Sequence, residues 1–159
     1  MSAPARPARR GAAAPLPGAG FETRPWGGFE TIAESEGHKV KRLFVNPGRR
    51  LSLQRHKYRA ETWIVVTGSP RVIVSGRARR LRARETVHVP RGAWHRIENP
   101  GRQAVLIVEV QHGPYLGEDD IERREDDFGR ANSAAPPTVG RVASRSAARP
   151  RPARRSRRG

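Results

Sequence analysis

Between Glu22 and about Arg130 the chain alternates short apolar runs, rich in Val, Ile, Leu and Thr, with Gly, Pro and Asn punctuation spaced about eight to twelve residues apart. A strand of that length covers one face of a sheet and must then turn, so the pattern predicts an all-β fold. The expected strands are 29–33, 40–45, 50–54, 62–67, 71–74, 79–82, 86–89, 93–97 and 104–110. Between them stand Asn46-Pro47-Gly48, Gly68-Ser69-Pro70, Ser75-Gly76, Pro90-Arg91-Gly92 and Asn99-Pro100-Gly101, residues that turn the backbone rather than continue it. Ser75-Gly76 reads as a two-residue hairpin turn joining antiparallel neighbours. Many short strands with tight turns point to a sandwich or a small barrel. The stretch 118–127, acidic first and with Arg123 and Arg124 inside, is expected to form a turn or two of helix.

Composition divides the chain into three. Its 159 residues carry 32 Lys and Arg against 15 Asp and Glu, a net charge of +17, and every acid lies between Glu22 and Asp127. Residues 1–21 hold three arginines among Ala, Pro and Gly, and residues 131–159 hold eight among Ala, Ser and Pro. Neither end has the apolar content to bury a core, so both are expected to be disordered basic tails flanking one domain over 22–130. Tails of this sign suit non-specific binding to nucleic acid or another polyanion. The absence of cysteine excludes disulfides and a thiolate-bound zinc, and leaves His, carboxylate and amide groups as metal ligands. No apolar run approaches the roughly 20 residues of a membrane span, and a cytoplasmic protein with no membrane partner is the simplest expectation.

Two constellations carry candidate chemistry. In the first, Gln54 and His56 stand two apart on an extended segment and so share a face, with Glu61 opening the next strand. In the second, Pro90-Arg91-Gly92 turns into a segment that returns His95 toward the same interior. One amide oxygen, two imidazoles and one carboxylate suit a divalent transition metal with positions left for substrate.

These motifs resemble the paired metal-binding motifs of cupins. The wider string resembles the C-terminal cupin domain of type II mannose-6-phosphate isomerases. It comprises Arg24-Pro25-Trp26-Gly27, Lys39 to Arg42, Leu51 to His56, Arg59 to Trp63, Pro90 to Asn99 and Tyr115 to Ile121. The resemblance implies a cupin-type double-stranded β-helix, that is, a jelly-roll barrel. It also implies a metal, most often zinc, held by Gln54, His56, Glu61 and His95, and interconversion of mannose 6-phosphate and fructose 6-phosphate in polysaccharide-precursor metabolism. Arg59 falls at the family's suspected active-site base or phosphate partner, and a homodimer is expected from the resemblance alone. The family usually carries histidines where Tyr58 and Thr62 stand, so the second absence is expected to bear on turnover. The 21 residues before Glu22 are too few for the nucleotidyltransferase domain of bifunctional relatives, so guanylyltransferase activity is not expected.

A sugar phosphate needs cations at the mouth of its pocket, and Lys41, Arg42, Arg59 and Arg96 are the candidates. The rival reading is a non-catalytic metal-binding cupin that recognises a sugar phosphate or sugar nucleotide. An Fe(II) oxygenase also uses two histidines and a carboxylate, but a glutamine as fourth ligand argues against it. His38, His88 and His112 read as structural, Trp26, Trp63 and Trp94 as packing residues, and the arginines from Arg77 to Arg84 as a solvated strand face.

Overall fold

The computed structural model describes Gly18 and residues 20–129; the basic ends at 1–17 and 130–159 lie outside the described residues. Eleven strands follow one another: β1 Phe21–Arg24, β2 Gly27–Ser35, β3 His38–Val45, β4 Leu53–Arg55, β5 Ala60–Thr67, β6 Arg71–Val74, β7 Arg77–Arg80, β8 Thr86–Val89, β9 His95–Glu98, β10 Val105–His112 and β11 Glu122–Glu125. They form two antiparallel sheets, ordered β1-β2-β3-β10-β5-β8 and β11-β4-β9-β6-β7. This is a double-stranded β-helix, the fold that the family resemblance implies and one of the barrels that the pattern of short strands and tight turns allows. Ser75 and Gly76 close the β6–β7 hairpin with φ of 51° and 78°, the paired left-handed conformation that a two-residue hairpin loop requires. The helix expected over 118–127 does not form. Its acidic start is spent on side-chain contacts described below, and Glu122–Glu125 instead pairs with β4 as an edge strand.

Inward-facing residues of β3, β10 and β5 fall into rows whose character changes along the barrel. One row is Leu43, Ile107 and Val65; the next is Lys41, Glu109 and Trp63; the third is Lys39, Gln111 and Glu61. All nine are buried. The apolar end packs against Val72 and Ile97 of the second sheet and forms the core with Val45, Leu81 and Val105. Fully burying such side chains contributes about 1.5–3 kcal/mol each. The other end is a buried polar layer that needs partners for every charge. At the opposite margin, Arg77 to Arg80 of edge strand β7 are all exposed, the solvated strand face expected, and their charge discourages pairing with another chain.

Candidate metal centre

The site is assembled from both sheets. Glu61 enters from β5, opposite Gln111 of β10 and Val89 of β8, while His95 opens β9 opposite Gln54 of β4. His56 lies just after β4, where its carbonyl accepts the Gly92 amide at 2.7 Å. His56 Nε2 stands 3.2 Å from Glu61 Oε1 and His95 Nε2 stands 3.7 Å from Glu61 Oε2. The two rings are centred 5.0 Å apart. One ligand atom from each of His56, Glu61 and His95 lies within 4.8 Å of the others, which brings together three of the four residues expected to bind metal.

Both imidazoles are oriented by a hydrogen bond on the other nitrogen. His95 Nδ1 donates to the Ala93 carbonyl at 2.8 Å, and His56 Nδ1 donates to the Asp120 carbonyl. Those bonds leave the Nε2 lone pairs turned toward Glu61, the arrangement typical of metal-ligating histidines. His95 Nε2 is buried with no hydrogen-bond partner, an orphan that a cation would satisfy. The residues present therefore fit a divalent metal ion. Gln54, the fourth expected ligand, lines the same cavity as Glu61, but its Oε1 accepts the Ser52 hydroxyl at 2.8 Å.

Electrostatics favour ligation. Burial alone would raise the Glu61 carboxyl, but its contacts with His56 first, then with His95 and the Arg59 guanidinium, outweigh it and hold Glu61 well below the usual carboxylate range. Burial drives His95 down to about 4, although Glu61 opposes it, so a neutral ring is available. Behind them, burial and then the charge of Glu61 push Glu109 up to about 8, against Lys41 and Arg59. Two carboxylates this close do not both ionise readily. Trp63 Nε1 donates to both, at 3.1 Å to Glu61 and 3.2 Å to Glu109, and Gln111 Nε2 donates to Glu109 at 2.8 Å.

Glu61 faces a small, solvent-open cavity of about 70 Å³, lined also by Trp26, Phe29, Lys41, Gln54 and Arg59. His56 and His95 do not line it themselves and meet it through Glu61. Arg59, buried, donates to Glu61 Oε1 at 3.2 Å and to the Gly117 carbonyl at 2.8 Å, with His56 Nε2 at 3.4 Å. Of the cations expected at the mouth, Lys41 is on the cavity wall. Arg42 and Arg96 are not: each alternates with an inward residue and faces outward. There Arg42 pairs with Glu30, and Arg96 pairs with Glu98 at 3.0 Å and Glu125 at 2.9 Å. Thr62 likewise points out of the barrel between the inward Glu61 and Trp63, and its hydroxyl meets His88 Nδ1 at 3.4 Å. A histidine at that position would project from the outer face, away from the cavity.

Several polar residues of the site were missed in sequence. Glu109 and Gln111 had a signal, since they occupy alternate, inward positions of the otherwise apolar β10 run. Asp120 stood out only as part of the Tyr115 to Ile121 stretch that carries the family resemblance, with nothing local to mark its role. Its carboxylate accepts the amides of Lys57 at 2.9 Å and Tyr58 at 3.0 Å, pinning the loop that carries His56.

Comparison with known proteins agrees with this picture. The chain belongs to the mannose-6-phosphate isomerase C-terminal family, whose model matches residues 21–126. It is 46% identical over 107 residues to the mannose-1-phosphate guanylyltransferase ManC of Salmonella typhimurium, covering 67% of this chain and 22% of that protein. It is 46% identical over 110 residues to the alginate biosynthesis protein AlgA of Pseudomonas syringae, covering 69% and 23%. The chain thus spans less than a quarter of these relatives, within their C-terminal cupin region. Its fold is similar to the cupin domain of Schizosaccharomyces pombe Cnp3, with a TM-score of 0.53 at 20% identity over 54% of this chain and 64% of that one. Among the described residues, no helix is long and apolar enough to cross a membrane.

Proposed function

We propose that this domain is a metal-dependent aldose–ketose isomerase that interconverts mannose 6-phosphate and fructose 6-phosphate. The observation that carries the reading is the buried His56, Glu61 and His95 cluster, opening through Glu61 onto a cavity walled by Lys41 and Arg59. Membership of the isomerase family supports it. His56, Glu61 and His95 would hold the ion, with Gln54 joining them if its oxygen leaves Ser52. When bound, a zinc-like ion supplies Lewis acidity at an oxygen of the sugar.

The chain's own groups account for binding and charge. Isomerisation moves a proton from C2 of the aldose to C1 through an enediol, so negative charge develops on the sugar oxygens. The Arg59 guanidinium, fixed between Glu61 and Gly117, is pre-set to oppose that charge without reorganising. Lys41 supplies a cation for the phosphate. Trp26 and Phe29 form an apolar wall that limits water around the ring.

The test is a coupled assay for fructose 6-phosphate formed from mannose 6-phosphate, run on protein whose metal content has been measured. Turnover that disappears on chelation and returns with zinc is the expected result. A fully metal-loaded protein that forms no fructose 6-phosphate defeats the isomerase reading and leaves a sugar-phosphate-binding cupin.

A further inference from the structure

Three buried cations converge beneath one irregular segment. Lys39 and Lys41, two apart on the inward face of β3, are 8% and 3% exposed, and Arg59 is 3% exposed. Each donates a hydrogen bond to a successive residue of the segment between β10 and β11. Lys39 Nζ donates to the Leu116 carbonyl at 3.1 Å, Arg59 Nη1 to the Gly117 carbonyl at 2.8 Å, and Lys41 Nζ to a carboxylate oxygen of Glu118. Three consecutive residues thus present three oxygens to three cations.

We propose that residues 116–118 sit in the seat of a phosphate monoester, as an internal stand-in that the substrate's phosphate displaces. This rests on reading the cavity as a sugar-phosphate site, and it adds Lys39 as a phosphate-binding residue and Glu118 as the residue that sets the charge the site admits. A phosphate monoester also offers three acceptor oxygens, with a charge of about −1.5 to −2 at neutral pH. The segment offers three oxygens but only the single charge of Glu118. Lys39 has a further partner in Glu34 at 3.1 Å, and Arg59 has Glu61 at 3.2 Å. Besides Glu118, Lys41 has the Phe29 ring face, 4.2 Å from its nitrogen, and lies near enough to Glu109 for its charge to act on that carboxyl. Its cross-strand neighbour Glu109 is engaged by Trp63 and Gln111. Exchanging a monoanion for a dianion at a buried ammonium is favourable, because charges interact more strongly where water is scarce.

The geometry makes the exchange inexpensive. The Glu118 side chain is 56% exposed whereas that of Lys41 is 4% exposed, so the carboxylate swings into solvent while the lysine stays. No strand includes residues 113–121, and the Asp120 carboxylate anchors the far end on the amides of Lys57 and Tyr58. A neutral sugar cannot repay the loss of the Lys41–Glu118 pair. The seat therefore selects phosphorylated over free sugars.

Calorimetric titration of the full chain with inorganic phosphate, and separately with mannose 6-phosphate, tests the seat. Glu118→Gln should bind both roughly fivefold more tightly, about 1 kcal/mol. Glu122→Gln, the same charge change on a residue paired instead with Arg55, should stay within about twofold of wild type on the same scale. Lys41→Met should lose binding. Amide exchange at Asp120, whose N–H bonds the Gly117 carbonyl at 3.2 Å, should accelerate at saturating phosphate. Glu118→Gln binding no tighter than Glu122→Gln, or Asp120 exchange unchanged at saturation, overturns the proposal, as does binding that survives Lys41→Met. Active isomerase with an unresponsive Glu118 would sink the seat alone. An inactive protein whose segment yields to phosphate would sink the isomerase alone.

Discussion

Asp120 holds His56 twice over: its carbonyl accepts the Nδ1 proton of the ring, and its carboxylate accepts the amides of the two residues that follow, Lys57 and Tyr58. The first bond sets the tautomer and the second sets the loop, across 64 residues of sequence. Supporting contacts of this kind are worth roughly 10–100-fold in metal affinity. Asp120→Ala keeps the carbonyl but frees the loop, so zinc affinity should fall toward the lower end of that range. Titration of zinc against the variant, with a circular dichroism spectrum to show intact strands, checks this.

Removing ligands should unload the site in a graded way. The double change His56→Ala, His95→Ala should abolish stoichiometric metal by elemental analysis. Full retention would refute the assignment. Glu61→Gln removes the anionic member of the trio while keeping its shape, so affinity should drop with the fold unchanged. It also leaves the buried Arg59 without its carboxylate partner, and a loss of stability of up to about 3–5 kcal/mol is expected on that account.

Arg59 and Thr62 should separate chemistry from outline. Arg59→Lys keeps the charge but cannot bridge Glu61 and the Gly117 carbonyl together. Turnover should fall at least tenfold, about 1.4 kcal/mol in the barrier, with metal content preserved. Thr62→His should leave turnover unchanged, because the residue faces His88 on the outer surface. A rate gain from Thr62→His would show that this strand can present its outer face to the cavity.

His95 supplies a pH test. Its folded value near 4 lies below its ordinary 6.5, so between those limits the unfolded chain binds a proton that the folded chain does not. The resulting stability is present above about pH 6.5 and is lost as pH falls toward 4, at up to about 1.4 kcal/mol per unit. The difference in denaturation midpoint between metal-free wild type and His95→Gln should therefore shrink across that interval. A difference that stays constant from pH 7 to 4.5 would contradict a neutral buried His95.

How much of this was written in the chain depends on the range of the interaction involved. The sequence determined the all-β class, nine of the eleven strands and the Ser75-Gly76 hairpin, because alternation and turn chemistry are local properties. Spacing and resemblance also singled out His56, Glu61 and His95, the trio that the fold brings together. β1 and β11 were missed since Phe21–Arg24 and Glu122–Glu125 lack apolar alternation; each is a strand by virtue of the edge it pairs with. Only tertiary structure decided which cations reach the cavity. Lys41 and Arg42 are equivalent in sequence, yet the pleat of β3 points one inward and the other outward. Glu118 and Asp120 acquire their roles from residues in β3 and in the loop after β4, pairings that no local pattern encodes.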